Sequence, residues 1–182
     1  MNHVGTIEIK TDRLVLRPFR EEDIDSFYKN YGSDPVVHKY VSFVPCRTEE
    51  ETAEFVRSLT AHYDEESFYA WAMVEDGVVF GYVGLVNVDE TADAAELRFS
   101  FGSKWWWKGY STESTKAIRD LAFETIGIHR LYSSHHVENV SSGSTLLKIG
   151  MEPEGVLRGG YKNEDGTYAD MKQYSVLAED IK

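Results

Sequence analysis

The run Lys104-Trp-Trp-Trp-Lys-Gly-Tyr-Ser-Thr-Glu113 is where this chain is best equipped for chemistry. It joins the end of a predicted strand, Ala95 to Phe101, to a predicted helix, and ligands of α/β sheets bind at such junctions. A helix start presents unpaired N–H groups and a partial positive charge, Gly109 lets the backbone approach an anion, and Lys108 adds a point charge. On spacing alone a plainer reading stays open, in which Gly109 serves a tight turn and Ser111 or Thr112 caps the helix. Other groups able to handle protons or ligands are Glu96 at the head of that strand, the run Asn139-Val-Ser-Ser142, the pair His135-His136, and Cys46. The two histidines lie in a predicted strand, so their side chains point to opposite faces and cannot share one metal ion. No basic neighbours mark Cys46 as an activated thiol.

The elements that must position these groups follow from periodicity. Arg13 to Pro18 reads as a strand closed by proline, and Asp23 to Tyr31 as a short amphipathic helix carrying Ile24, Phe27 and Tyr28. Thr48-Glu-Glu-Glu51 is a capping box that opens a second helix through Phe55, Val56 and Leu59 to about Asp64. Phe68 to Glu75 and Val78 to Val88 flank Asp76-Gly77, a hairpin signal. The helix after the glycine loop runs through Ile118, Leu121, Ala122 and Ile126 to Gly127. It is followed by a strand, Arg130 to Val137, so strand, helix and strand form a crossover with parallel strands. Asn139 caps a helix through Lys148 that Gly150 ends, and a final hairpin pairs Val156 to Tyr161 with Tyr168 to Leu177 around Asn163-Glu-Asp-Gly166.

Composition narrows the function classes. The chain has 182 residues, 42% hydrophobic, with no repeat or Pro/Gly/Ser-rich linker, which predicts one domain. A net charge of −12 disfavours nucleic-acid backbones and would attract a cationic substrate. A single cysteine excludes an internal disulfide and Cys-based zinc spacing. Met1 to Lys10 lacks a signal pattern and no apolar run approaches a membrane span, so a cytoplasmic protein without membrane or nucleic-acid partners is expected. The three tryptophans, as clustered aromatics, are expected mainly in the core.

Four segments in order resemble the GNAT acetyltransferases, in particular the RimJ/RimL-like branch named for ribosomal-protein N-terminal acetylation. They are Thr11-Asp-Arg-Leu-Val-Leu-Arg-Pro18, the strand from Glu96 with its glycine loop, Asn139-Val-Ser-Ser142, and Lys148-Ile-Gly-Met151 followed by Val156-Leu-Arg158. The resemblance implies an α/β (α+β) fold, with a mixed, mostly antiparallel sheet, a parallel splayed pair at the CoA site, and helices on both faces. It implies an N-acetyltransferase using acetyl-CoA and no metal, with direct attack of an amine in a ternary complex. A protein or peptide N-terminus is the acceptor that the branch suggests. A polyamine, aminoglycoside or amino acid, or a non-catalytic CoA-binding module, are the alternatives.

By the same resemblance, the loop Trp106, Trp107, Lys108, Gly109, Tyr110, Ser111, Thr112 wraps the CoA pyrophosphate. The family usually has Gln or Arg where Trp106 stands, and the branch often has glycine at Trp107. The backbone of Phe99, Ser100 and Phe101 pairs with pantetheine and offers an amide to the acetyl carbonyl. Asn139 bonds the pantetheine amide, Ser142 bonds the CoA sulfur and protonates the leaving thiolate, and Lys148 approaches the 3′-phosphate. Glu96 is implied as general base through a water, and Arg158 matches a closing motif. Acceptor specificity is expected in Tyr28 to Glu66. The last strand offers an edge through which a homodimer could form.

Overall fold

Strand β3 (Tyr69–Glu75) alternates between two cores: Tyr69, Trp71 and Met73 face one, and Ala70, Ala72 and Val74 the other. A strand buried on both faces must have helices on both sides, and the rest of the fold supplies them. The computed structural model describes residues 1–41, 44, 46–163 and 165–181. Its eight strands form one sheet in the order β1 (Ile9–Lys10), β2 (Val15–Arg17), β3, β4 (Val78–Asp89), β5 (Ala94–Phe101), β6 (Arg130–His136), β8 (Tyr168–Leu177), β7 (Glu152–Lys162). All neighbours are antiparallel except β5 and β6.

On one face lie α1 (Ile24–Phe27), continued by a wider turn to Gly32, and α2 (Glu49–Thr60). Phe27, Tyr31, Val56 and Leu59 are buried there, with Phe27 and Tyr31 stacked at 5.0 Å. The capping box holds as the sequence predicts: Glu51 N–H donates to Thr48 Oγ1 and Glu51 Oε2 accepts from Thr48 N–H. The helix ends at Thr60, four residues short of the expected limit, and turns replace it.

On the other face are α3 (Tyr110–Leu121) and α4 (Val140–Lys148). Ile118, Leu121, Ala122 and Ile126 form the apolar stripe of α3 and its extension, the burial of each isoleucine or leucine being worth about 2 kcal/mol. Gly127 ends it at φ 76°, donating its N–H to Ala122 O. The final hairpin leaves β7 as the sheet's outer strand, exposed along nearly its whole length. Within its expected turn Glu164 lies outside the described residues, as do 42, 43 and 45 in the segment before α2.

Candidate active site

The parallel ladder between β5 and β6 has three steps, Ala94↔Arg130, Ala95↔Leu131 and Glu96↔Tyr132. One further tie, Ser133 Oγ donating to Leu97 O at 2.8 Å, closes the apex. Beyond it β6 pairs only with β8 and β5 only with β4, so the strands part and one edge of the β5 backbone near Phe99, Ser100 and Phe101 is unpaired. A cavity of about 420 Å³ opens there. Its walls are residues 99–101 of β5, Trp106, Trp107, Gly109, Ser111 and Thr112 of the glycine loop, Glu138 to Ser142 with Ser144, Thr145 and Lys148 of α4, and Val36, Val37, Tyr40 and Val41.

The glycine loop has the geometry of an anion cradle. Trp107 and Gly109 have φ of 64° and 86°, while Lys108 between them is not left-handed; such alternation turns successive amides toward one point. Gly109 is the N-cap of α3, whose ladder begins with Glu113 N–H donating to Gly109 O at 3.0 Å. The amides of Gly109 through Thr112 therefore lack intrahelical partners. Ser111 and Thr145 hydroxyls meet at 3.0 Å, which ties the first turn of α3 to α4. Asn139 caps α4, its Oδ1 accepting from Ser142 N–H at 3.4 Å and Ser141 Oγ at 3.0 Å. Its Nδ2 and the Ser142 hydroxyl make no hydrogen bond among the described residues, so both are available to a ligand in the cavity. Two helix N-termini and an open strand edge together suit a long ligand with a phosphate end and an amide-bearing arm.

The three tryptophans behave differently from one another. Trp105 is core: it stacks on Phe80 at 4.7 Å and donates Nε1–H to Glu75 at 2.8 Å. Trp106 is half-buried, lines the cavity, and donates to Phe101 O at 2.9 Å, so the side chain standing where the family has Gln or Arg closes the end of β5. Trp107 departs from the expected core placement and is 86% exposed, because a left-handed residue on the outer rim of the loop has no core to face.

Of the residues singled out for the cofactor, Lys108 and Tyr110 lie outside the cavity wall. Lys108 is exposed, and Tyr110 is buried behind the loop, its hydroxyl donating to Glu75. Glu96 also lies outside it. Its carboxylate accepts from Asn87 Nδ2 at 2.7 Å and from Arg98 Nε and Nη2 at 3.0 and 3.1 Å. Asn87 reaches it from an irregularity in β4, where φ is 49°.

His135 and His136 point apart as expected. His135 stacks on Tyr174, donates Nδ1–H to His136 O at 2.8 Å, and leaves a buried, unpartnered Nε2. Burial lowers its pKa. Burial also pushes the Cys46 thiol up to about 12, so it is an inert core group. Arg158 is exposed on β7, away from the cavity wall. Val36, Val37, Tyr40 and Val41 fall within the Tyr28 to Glu66 region where acceptor specificity is expected, but sequence reasoning singled out none of them and missed Glu138; Tyr40 O–H donates to Glu138 at 3.4 Å across 98 positions of chain, which no local pattern announces.

The acetyltransferase (GNAT) domain family matches residues 13–152. The chain belongs to the GNAT acetyltransferase family. It is 25% identical over 171 residues to the uncharacterized N-acetyltransferase YoaA of Bacillus subtilis, covering 93% of this chain and 96% of YoaA. It is 24% identical over 142 residues to the spermidine N(1)-acetyltransferase of Escherichia coli K12, covering 78% of this chain and 74% of that protein. A crystal structure of a GNAT-family acetyltransferase from Bacillus anthracis superposes with a TM-score of 0.81 at 26% identity, over 95% of this chain and 99% of that one. This GNAT protein is an acetyl-CoA-dependent N-acetyltransferase. Among the described residues no cluster of His, Cys, Asp and Glu could hold a metal ion, and no helix is long and apolar enough to cross a membrane.

Proposed function

We propose that this acetyltransferase acts on the α-amino group of a peptide or protein. The observation that carries this reading is the acid–base inventory of the cavity: Glu138 is the only carboxylate in its described wall, and Glu96 is committed to Asn87 and Arg98. An acceptor served by so little base must arrive already neutral. About a tenth or more of an α-amine, of pKa about 7.7 to 8.0, is neutral at pH 7, against roughly 0.04% of a lysine-type amine near 10.4. The resemblance to the RimJ/RimL-like branch points the same way.

In this reading the amine nitrogen attacks the thioester carbonyl as the β5 backbone near Phe101 donates to the developing oxyanion. The new C–N bond forms, the C–S bond breaks, the ammonium proton leaves to water at the cavity mouth, and Ser142 relays a proton to the departing thiolate, regaining its own from water. Thiolates with pKa near 8.5 leave readily, so Ser142 assists without being indispensable. Phe99 to Phe101, Trp106, Trp107, Gly109, Ser111, Thr112, Asn139 and Lys148 hold the cosubstrate, and Lys108 stands outside that wall. Tyr110 supports the loop from behind, and Glu96 orders the splay rather than accepting the proton.

The acidic chain and the spermidine-acetylating relative favour polyamines as the second reading. Free-thiol release from acetyl-CoA is measured against peptides with free and blocked N-termini, spermidine and aminoglycosides. Release with free N-termini alone supports the proposal; release with spermidine and not with peptides overturns it. A second copy pairing along β7 would give a dimer, which sedimentation equilibrium tests.

A further inference from the structure

The segment Thr11–Arg13 resembles the family at the far end of the chain from the glycine loop, and the cavity wall does not include it. It nevertheless makes the most densely bonded contact with that loop. Glu113, in the first turn of α3, accepts at Oε1 from Thr11 Oγ1 at 2.6 Å and Arg13 N–H at 2.9 Å. Its Oε2 accepts from Arg13 Nε at 2.8 Å and Nη2 at 2.6 Å. Arg13 Nη1 then donates to Lys108 O at 2.9 Å, and the guanidinium lies 4.2 Å above the Tyr110 ring. A Cβ added at Gly109 would stand 3.4 Å from Arg13 Nη2. One planar group thus touches residues 108, 110 and 113 and crowds the space beside Gly109, and neither Arg13 nor those three residues line the cavity.

We propose that Arg13 is a positioning residue for the pyrophosphate of acetyl-CoA: braced on Glu113, it holds the Lys108 carbonyl and so aims the amides of Gly109 to Thr112 at the phosphates. The proposal rests on the loop being the cosubstrate site, as read above. Left-handed Trp107 and the free amides of an N-terminus do not hold such a conformation unaided, and Lys108 O is the peptide oxygen whose rotation would turn the Gly109 N–H away. Lysine cannot replace the guanidinium, because a single ammonium does not make the paired bonds to Glu113 and the third to Lys108 together. The Arg13 side chain is 44% exposed, so its ion pair contributes little to overall stability. Burial would raise the Glu113 pKa, but hydrogen bonds from Thr11 and Arg13 outweigh it and hold that pKa below the usual glutamate value.

The test compares wild type, Arg13→Ala, Arg13→Lys and Glu113→Gln with two acetyl donors, acetyl-CoA and S-acetylpantetheine, which lacks the pyrophosphate. The variants are expected to raise KM for acetyl-CoA about tenfold with kcat within about twofold, and to leave kcat/KM for S-acetylpantetheine unchanged. Equal losses with both donors, or an unchanged KM for acetyl-CoA, would overturn the proposal. Should Arg13→Ala not fold, Arg13→Lys and Glu113→Gln decide it by the same ratio. Calorimetric titration of acetyl-CoA separates this inference from the reading beneath it. Tight binding by wild type and Arg13→Lys alike removes the brace and leaves the site assignment standing, whereas no binding by wild type removes both.

Discussion

The two sides of the cavity are built in opposite ways. The glycine loop is clamped by two carboxylates that sit outside the cavity, Glu75 holding Trp105 and Tyr110, and Glu113 holding Arg13. The facing wall, Val36, Val37, Tyr40 and Val41, is mainly apolar, and its polar tie among the described residues is one 3.4 Å contact from Tyr40 to Glu138. A ligand of fixed chemistry is served by a pre-set backbone, whose amides cost no rearrangement on binding. On the proposed reading the facing wall receives the acceptor, and its side chains can vary without disturbing that frame.

The largest expected effect on this contrast comes from Gly109→Val. A branched side chain at φ 86° beside Arg13 forces the loop out of shape, and roughly 100-fold should be lost in kcat/KM for acetyl-CoA, with KM for the acceptor little changed. An acceptor KM that rises in step would erase the division into two sides. Next is Tyr40→Phe, which removes the tie to Glu138; steady-state kinetics should show a few-fold change in acceptor KM and none in acetyl-CoA KM. If Glu96 is not the base, Glu96→Gln should lower kcat by less than about threefold, whereas loss of a general base costs at least about 100-fold. Trp107→Gly should raise stability by about 1 kcal/mol in urea unfolding, since glycine carries no penalty at φ 64°.

The smallest effects are in pH. The folded-state pKa of His135 is depressed by burial, so it resists the proton that the unfolded chain accepts near 6.5. Its neutral form keeps stability full above that value, and stability erodes as pH falls below it. A Tm series from pH 7.5 to 5.5 should slope downward, and His135→Phe should flatten it. Glu113 has the opposite chemistry and the same sign. Its depressed carboxyl leaves the brace whole above about pH 4.3 and releases it only in stronger acid. Affinity for acetyl-CoA should therefore not respond to Glu113 titration at neutral pH.

Much of the frame was legible because its signals are local. Asp76-Gly77 places a hairpin, Thr48 and Glu51 cap a helix, Gly127 and Gly150 end two more at positive φ, and strand, helix and strand demand the parallel pair. The glycine loop and Asn139 announced themselves by standing at helix starts. Glu96 shows the limit of such reading. Its place on the strand was clear, but its partners Asn87 and Arg98 depend on an irregularity in β4 and on which face the register selects. Trp105, Trp106 and Trp107 are adjacent and identical in type, yet one stacks in the core, one caps a strand and one faces solvent. Side-chain fate there follows backbone conformation, helical at Trp105, extended at Trp106 and left-handed at Trp107, which composition does not report.

The sequence by itself determined the elements, their order and the residues at the two helix N-termini, because each depends on interactions within a few positions of chain. Only the tertiary structure decided how far the parallel pair runs before it splays, what closes the far wall at Tyr40 and Glu138, and that Arg13 and Glu113, 100 residues apart, hold one loop. Those are long-range pairings, fixed by sheet register and by how helices settle on its faces, and no spacing along the chain encodes them.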